Sequence, residues 1–480
     1  MKSMKKTACL VLAITFPLLF APADVSARSW EQVALGEAST REDLNDVWTH
    51  VSVGAEGVFL EVFAVGDTGT ILHYDGTRWQ KEESPSIEHL NAVWGISPSD
   101  VYVVGNNGTV LHYDGQAWTS IKEELVRDLD RTFTWHLRGA WGSPASGVFI
   151  VGETGVILHH DGLAWERQAE LLTTEVLNSV WGTSSGTVYA AGNAGTVLRY
   201  RDGQWERQAV LLSPWNLNGV WASSPEAVYA VGDNGTVLVF DGLAWYAFSI
   251  EAPTRWNAVW GTSPCNIYAV GSSNAGTILR FDGNTWSAEN SLIILIDELA
   301  TFPIPPLKSI HGASLRDVIA VGENGFVLRL VSDEGELRPT VCSRSPDDGQ
   351  QGVMVDAGIS VVFSAPMSRS SLTDTTFTLF SESGPVPGVI TVDGNTAFFV
   401  PEEALAFDTI YTVTIAGEVA DNLGVSLGND VSWSFSTGSE ADEGSNGGCF
   451  IAAARPSEPG REYQGAGLRH KAIFIPVEAR

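Results

Sequence analysis

Apolar and polar residues alternate along this chain in short runs, and the runs return at a regular interval. One unit reads Leu90-Asn91-Ala92-Val93-Trp94-Gly95, then Val101-Tyr102-Val103-Val104-Gly105, then Gly108-Thr109-Val110-Leu111-His112-Tyr113-Asp114-Gly115, then Trp118. The runs are rich in β-branched and aromatic residues and end in turn residues, which predicts β-strands. The Gly-x-x-Gly step between the second and third runs supplies a tight reversal where φ can be positive. Asp-Gly before the last run does the same. The first-run Trp recurs at Trp48, Trp94, Trp141, Trp181, Trp221 and Trp260, and a seventh unit, Ser309-Ile310-His311-Gly312, puts His311 in that place. Four strands per unit, repeated radially, predict a seven-bladed β-propeller.

The seventh unit ends at Phe326-Val327-Leu328-Arg329-Leu330 and lacks a fourth strand. Ser29-Trp30-Glu31-Gln32-Val33 has the form of that missing strand, so it is expected to complete the last blade and leave the ring without an edge. The propeller would then occupy residues 29–332. Thirteen of the 17 Trp fall on first or fourth strands as expected core, leaving Trp135, Trp215, Trp256 and Trp433 outside the pattern.

Residues 333–346 change to a charged, Ser- and Pro-containing linker. Across 338–437 about seven short strands with turns between them predict a β-sandwich, so the fold class is all-β. Residues 438–448 are Ser, Gly and acidic, and 438–480 is expected to be a flexible tail.

The repeats resemble propeller units of the WD40-, kelch- and sialidase-type superfamily, closest to the Val-Trp-Gly…Asp-Gly-x-x-Trp repeats of secreted bacterial proteins. Ile359-Ser360-Val361-Val362-Phe363-Ser364, Tyr411-Thr412-Val413-Thr414-Ile415 and Trp433-Ser434-Phe435-Ser436-Thr437 are similar to the bacterial Ig-like domain of the surface-layer type. That resemblance implies a sandwich with Trp433 in its core and Asp421-Asn422-Leu423-Gly424 as a turn rather than a calcium site. Gly447-Gly448-Cys449-Phe450-Ile451-Ala452 resembles a C-terminal Cys-Phe-Ile box, which makes Cys449 a candidate attachment residue. The Arg455-Pro456 sequence after it departs from that group's usual apolar continuation.

Composition narrows the setting. Lys2, Lys5 and Lys6, the apolar stretch 8–21 and Val25-Ser26-Ala27 read as a signal peptide over 1–27, too short to span a membrane comfortably. The expectation is an extracellular or cell-surface protein, at the outer surface of a Gram-negative envelope, with no membrane span. Removing 1–27 takes away three Lys and one Asp and moves the net charge from −29 to −31. Such a surface disfavours nucleic acid. Cys265, Cys342 and Cys449 then remain, an odd number with no metal spacing; whether Cys265 and Cys342 pair is not fixed by the sequence.

The candidate chemistry is binding. The Gly-x-x-Gly turns and the blade-to-blade connections share one face, which collects Asn107, Asp233 and Asn234 together with Trp135, His136, Trp215, Trp256 and the long insertions 119–138 and 287–308. Aromatics beside amides and carboxylates suit a glycan or protein ligand; the alternative is that these Trp pack against neighbouring blades. A sialidase-like hydrolase is the sharpest enzyme alternative, but the Ser-x-Asp part of an Asp-box is absent and no Arg trio stands out. A kelch-type copper oxidase lacks an evident Cys partner. Neither cofactor nor metal is expected. The resulting reading is a non-enzymatic binding or scaffold protein, its propeller a recognition head and its Ig-like domain a spacer, with an envelope structural component as a further alternative.

Overall fold

The computed structural model of the chain describes residues 28–54, 57–129, 134–168, 172–208, 213–250, 255–272, 275–289, 293–294, 304–331 and 337–439. Residues 1–27, read above as a signal peptide, together with Cys449 and most of the 287–308 insertion lie outside them. The fold is all-β, a propeller followed by an Ig-like sandwich.

Among the described residues, seven sheets form the propeller. Blade one, for example, pairs Leu44–Gly54, Gly57–Gly66, Ile71–Tyr74 and Trp79–Lys81 in order. The inner strands neighbour one another around the ring, and blade seven's, Leu307–Gly312, neighbours blade one's. Ser29–Gln32 lies antiparallel to Val327–Val331, with Trp30 opposite Leu330. Trp30 is fully buried, meets Tyr268 edge-on at 5.8 Å and donates from Nε1 to Glu289 at 3.2 Å. The backbone of Ile293–Ile294 adds a short parallel strand outside it.

The repeated Trp position has two fates. Trp48, Trp141, Trp221 and Trp260 lie flat between blades, 3–4% exposed. Each sits on the Gly of the next inner strand: a Cβ on Gly95 would stand 2.4 Å from Trp48, and one on Gly182 would stand 2.3 Å from Trp141. Those glycines are therefore packing requirements. Trp94, Trp181 and His311 instead turn into the axis, with ring centroids 5.1 to 5.9 Å apart. The residue met by Trp181 is Ala222, whose carbonyl accepts the indole N–H at 3.1 Å, so that site tolerates a Cβ.

The sandwich stacks the sheet containing Val341–Ser345, Ile359–Phe363, Thr396–Pro401 and Gly388–Asp393 on the sheet of Gly384–Val386, Phe377–Ser381, Ile410–Ile415 and Val431–Ser436. Phe363, Phe377, Phe399, Phe435 and Trp433 fill the interior, and the Trp433 indole donates to Pro346 O at 2.9 Å. Asp421 accepts the Leu423 and Val425 amides at 2.9 and 2.8 Å, which makes its carboxylate a turn acceptor.

The sandwich is docked on one end of the propeller. Cys265, in the turn between the first two strands of blade six, is disulfide-bonded to Cys342. Thr262 donates to Ser364 O at 2.6 Å, Ser184 donates to Asp393 at 3.4 Å, and Leu315, Leu337 and Ala365 bury one another. The propeller residues in these contacts lie in the turns between first and second strands or, for Thr262, at the end of the first strand that leads into one. This end of the ring is therefore the hairpin face, and the opposite end is the turn face.

Candidate functional site

The turn face is built by a repeated hydrogen-bond device. In each Gly-x-x-Gly turn the middle residue takes a left-handed conformation, at φ 54° in Asn107 and 56° in Asn234. In three of them the glycine after it donates to the connection that leads into the next blade, among them Gly108 N to Trp135 O at 2.8 Å and Gly195 N to Trp215 O at 2.9 Å. Trp135 and Trp215 thus hold equivalent positions, two residues before the first inner-strand apolar residue, at seams two blades apart. The aromatic side chain is not needed for that bond, since Glu88 O serves Gly69 N in the same way.

The individual candidates separate. Trp215 is 48% exposed, with Asn234 exposed and Asp233 half-buried on the same face. Trp135 is half-buried beneath the Arg167 guanidinium, 5.0 Å from its ring centre. Asn107 is exposed; its side chain donates to Glu88 at 2.9 Å and its backbone N–H to His136 Nδ1 at 3.4 Å. Asp233 accepts from Asn216 and Asn218, each at 3.0 Å, and pairs with Arg255 at 3.4 Å. Trp256 must be corrected: it is 2% exposed and stands where other blades carry Leu44, Leu90 or Leu217, so it is core and unavailable to a ligand. The 119–138 insertion packs in part against the blade it leads into. Its helix Lys122–Asp128 buries Leu125, and Asp128 accepts the Trp165 amide at 3.2 Å, which ties the segment to the outer edge of blade three.

Apart from His311, already marked as standing in the repeated Trp position, the axis carries residues that pattern reading passed over. At the turn-face mouth stand Asn45, Asn91, Arg138, Asn178, Asn218, Asn257 and Lys308, one from each inner strand. Asn91, Asn178 and Asn218 each donate twice from Nδ2, once to their own blade's turn and once to a carbonyl of the next blade. Their amide nitrogens are thereby used as inter-blade ties. Below the mouth a cavity of about 140 Å3 narrows onto Trp94, Trp181 and His311. His311 Nδ1 accepts the Thr49 N–H at 3.1 Å, and burial lowers its pKa to about 3, so the imidazole is neutral. Asp46 replaces the Ala, Gly or Ser found at its position in the other blades; burial raises its pKa to about 6. The available signal was each residue's departure from its own repeat: Arg138 and Lys308 for Asn, Asp46 for a small residue, His311 for Trp.

The repeated Asp residues of the hairpin face are structural. Asp114, Asp161 and Asp241 each accept two backbone N–H groups of their own turn at 2.8 to 3.0 Å. In Asp114 and Asp161 those bonds hold the carboxyl below its ordinary pKa. No helix among the described residues is long and apolar enough to cross a membrane.

Comparison with solved structures gives propellers of low sequence identity. YCF48 bound to a D1 peptide is 19% identical with a TM-score of 0.49, over 64% of this chain and 97% of that chain. YCF48 from Cyanidioschyzon merolae is 16% identical with a TM-score of 0.47, over 63% and 99%. The RRP9 WD40 repeats are 10% identical with a TM-score of 0.45, over 63% and 97%. No curated protein matches the chain. Residues 336–437 match the family described as the bacterial Ig-like domain, which places the C-terminal sandwich in that family.

Proposed function

We propose that this protein is an exported recognition scaffold whose propeller binds a protein or glycan partner through the turn face. The observation that carries this reading is the asymmetry of the two ends. The hairpin face carries the Ig-like domain on its blade-four, blade-six and blade-seven side, tied to it by Cys265–Cys342. Among the described residues the turn face carries no second domain and displays Trp215, 48% exposed, among amides and carboxylates. A large aromatic held rigidly on a polar face is the kind of residue that anchors interfaces. The disulfide supports folding outside the reducing cytosol, as does the bacterial Ig-like family of the sandwich. The repeated carboxylates cap turns, which favours a scaffold over a hydrolase.

The test is a glycan-array and envelope-protein binding screen with the mature chain, repeated with Trp215→Ala. The reading expects a ligand whose affinity falls about tenfold or more, as for an interface anchor, while the melting temperature is unchanged. Turnover of a glycan substrate, or binding indifferent to Trp215, would refute it.

A further inference from the structure

We propose that the axial cavity binds an alkylammonium group, with Asp46 as its counter-ion and the Trp94 and Trp181 rings as its floor. This site is separate from Trp215 and does not depend on the recognition reading above.

The charge balance of the cavity points to a cation. Lys308 at the mouth is already paired with Asp43 at 2.7 Å, and Arg138 with Glu153 at 3.3 Å. Asp46 has no such partner among the described residues. The donors to its carboxylate are all uncharged: the Ser309 hydroxyl at 2.6 Å, the Val93 amide at 2.9 Å and the amide of Val47. A recessed carboxylate without a counter-charge is costly, and a bound cation relieves that cost. The raised pKa of Asp46 reflects the same unrelieved burial.

The rest of the lining selects the type of cation. Trp94 and Trp181 line the cavity, are half-buried, and cross edge to face at 5.1 Å; aromatic faces attract ammonium groups. His311 beside them is neutral and adds no repulsion. At the mouth, the Asn91, Asn178 and Asn218 amide oxygens accept no bond from any described residue, while their nitrogens are fully used. The vacant polar atoms are thus acceptors, which suit the three N–H donors of a primary ammonium. One carboxylate is too few for a hard divalent ion, which takes six or more oxygens when it is calcium. The cavity volume of about 140 Å3 has room for several waters or one short alkylammonium chain.

The same group can arrive as a free amine or as a lysine side chain. Calorimetric titration of the mature chain at constant ionic strength, with butylammonium chloride, with Nα-acetyl-lysine methylamide and with butanol as the neutral control, separates these sources. The expected result is saturable binding of at least one amine and none of butanol, weakened about tenfold or more in Asp46→Asn. Tighter binding of the capped lysine assigns the group to a partner's side chain, and tighter binding of butylammonium assigns it to a free amine. Trp181→Phe serves as the second variant, with a several-fold loss expected from the smaller ring face. Absence of saturable amine binding, or unchanged affinity in both folded variants, overturns the proposal.

Discussion

The two ends of the propeller are built from the same repeat and yet differ in almost every respect. Toward the hairpin face the inner strands are filled to contact: four Trp rings lie on glycines with no room for a methyl group, and the sandwich docks on part of the outside. Toward the turn face the axis is ringed by polar residues, the connections vary in length, and an exposed Trp stands clear of the core. A repeat scaffold separates its tasks this way. Identical residues at one end close the ring, and departures from identity at the other end are free to meet a partner.

The largest test of this contrast is the covalent tie. Cys265→Ser is expected to lower stability by about 2–4 kcal/mol through the released loop between propeller and sandwich. Calorimetry would show the sandwich melting as its own transition, while binding at the turn face persists. A single unchanged transition would mean the domains are held by the other contacts alone.

Packing at the hairpin end comes next. Gly182→Ala places a methyl group against Trp141 and should cost about 1–3 kcal/mol in urea denaturation. Ala222→Gly, at the same position one blade on, should cost about 1 kcal/mol or less, because Trp181 has turned to the axis. Equal costs would remove the distinction between the two fates of the repeated Trp.

The axis gives a pH signature. His311 has a folded pKa of about 3 against an ordinary 6.5, so the unfolded chain takes the proton first and stability falls as pH drops from 6.5 toward 3. Asp46 has a folded pKa of about 6 against 3.8, so the folded chain takes the proton first and stability rises as pH drops from 6 toward 3.8. The two contributions oppose each other in the native protein. Asp46→Asn removes the offset, so the variant should lose roughly 1.4 kcal/mol more per pH unit than the native chain between about pH 6 and 4. Parallel stability profiles for the two proteins would contradict the axial assignment.

The smallest stability effect is expected at the most functional residue. Trp215→Ala should change folding stability by no more than about 0.5 kcal/mol, because the ring is half-exposed and its structural bond is made by the backbone.

How far the sequence reached follows the same division. The blades were legible because most units repeat the same strands, Asp-Gly turns and glycines, and the strand around Trp30 could be recognised as a fragment of that unit. The sandwich was legible from its strand pattern and Trp433. The side-chain environment of single positions was not. Trp256 looked surplus because no other blade has Trp there, yet it fills a Leu site in the core. The Cys265–Cys342 bond depends on how the domains dock, which no local pattern encodes. Asp46 and Lys308 sit inside runs that read as ordinary strand, and only closure of the ring brings them to one cavity.

The most direct measurement of the central claim is partner binding by two matched variants, one on each face. Trp215→Ala alters the turn face, and Leu163→Ser with Leu243→Ser alters exposed positions, 89% and 76%, in the hairpin-face turns. With the ligand found by the screen, the account predicts that the first variant loses affinity by about tenfold or more while the second binds like the native protein. Loss of binding in the second variant with the first unaffected would place recognition on the hairpin face and contradict the account.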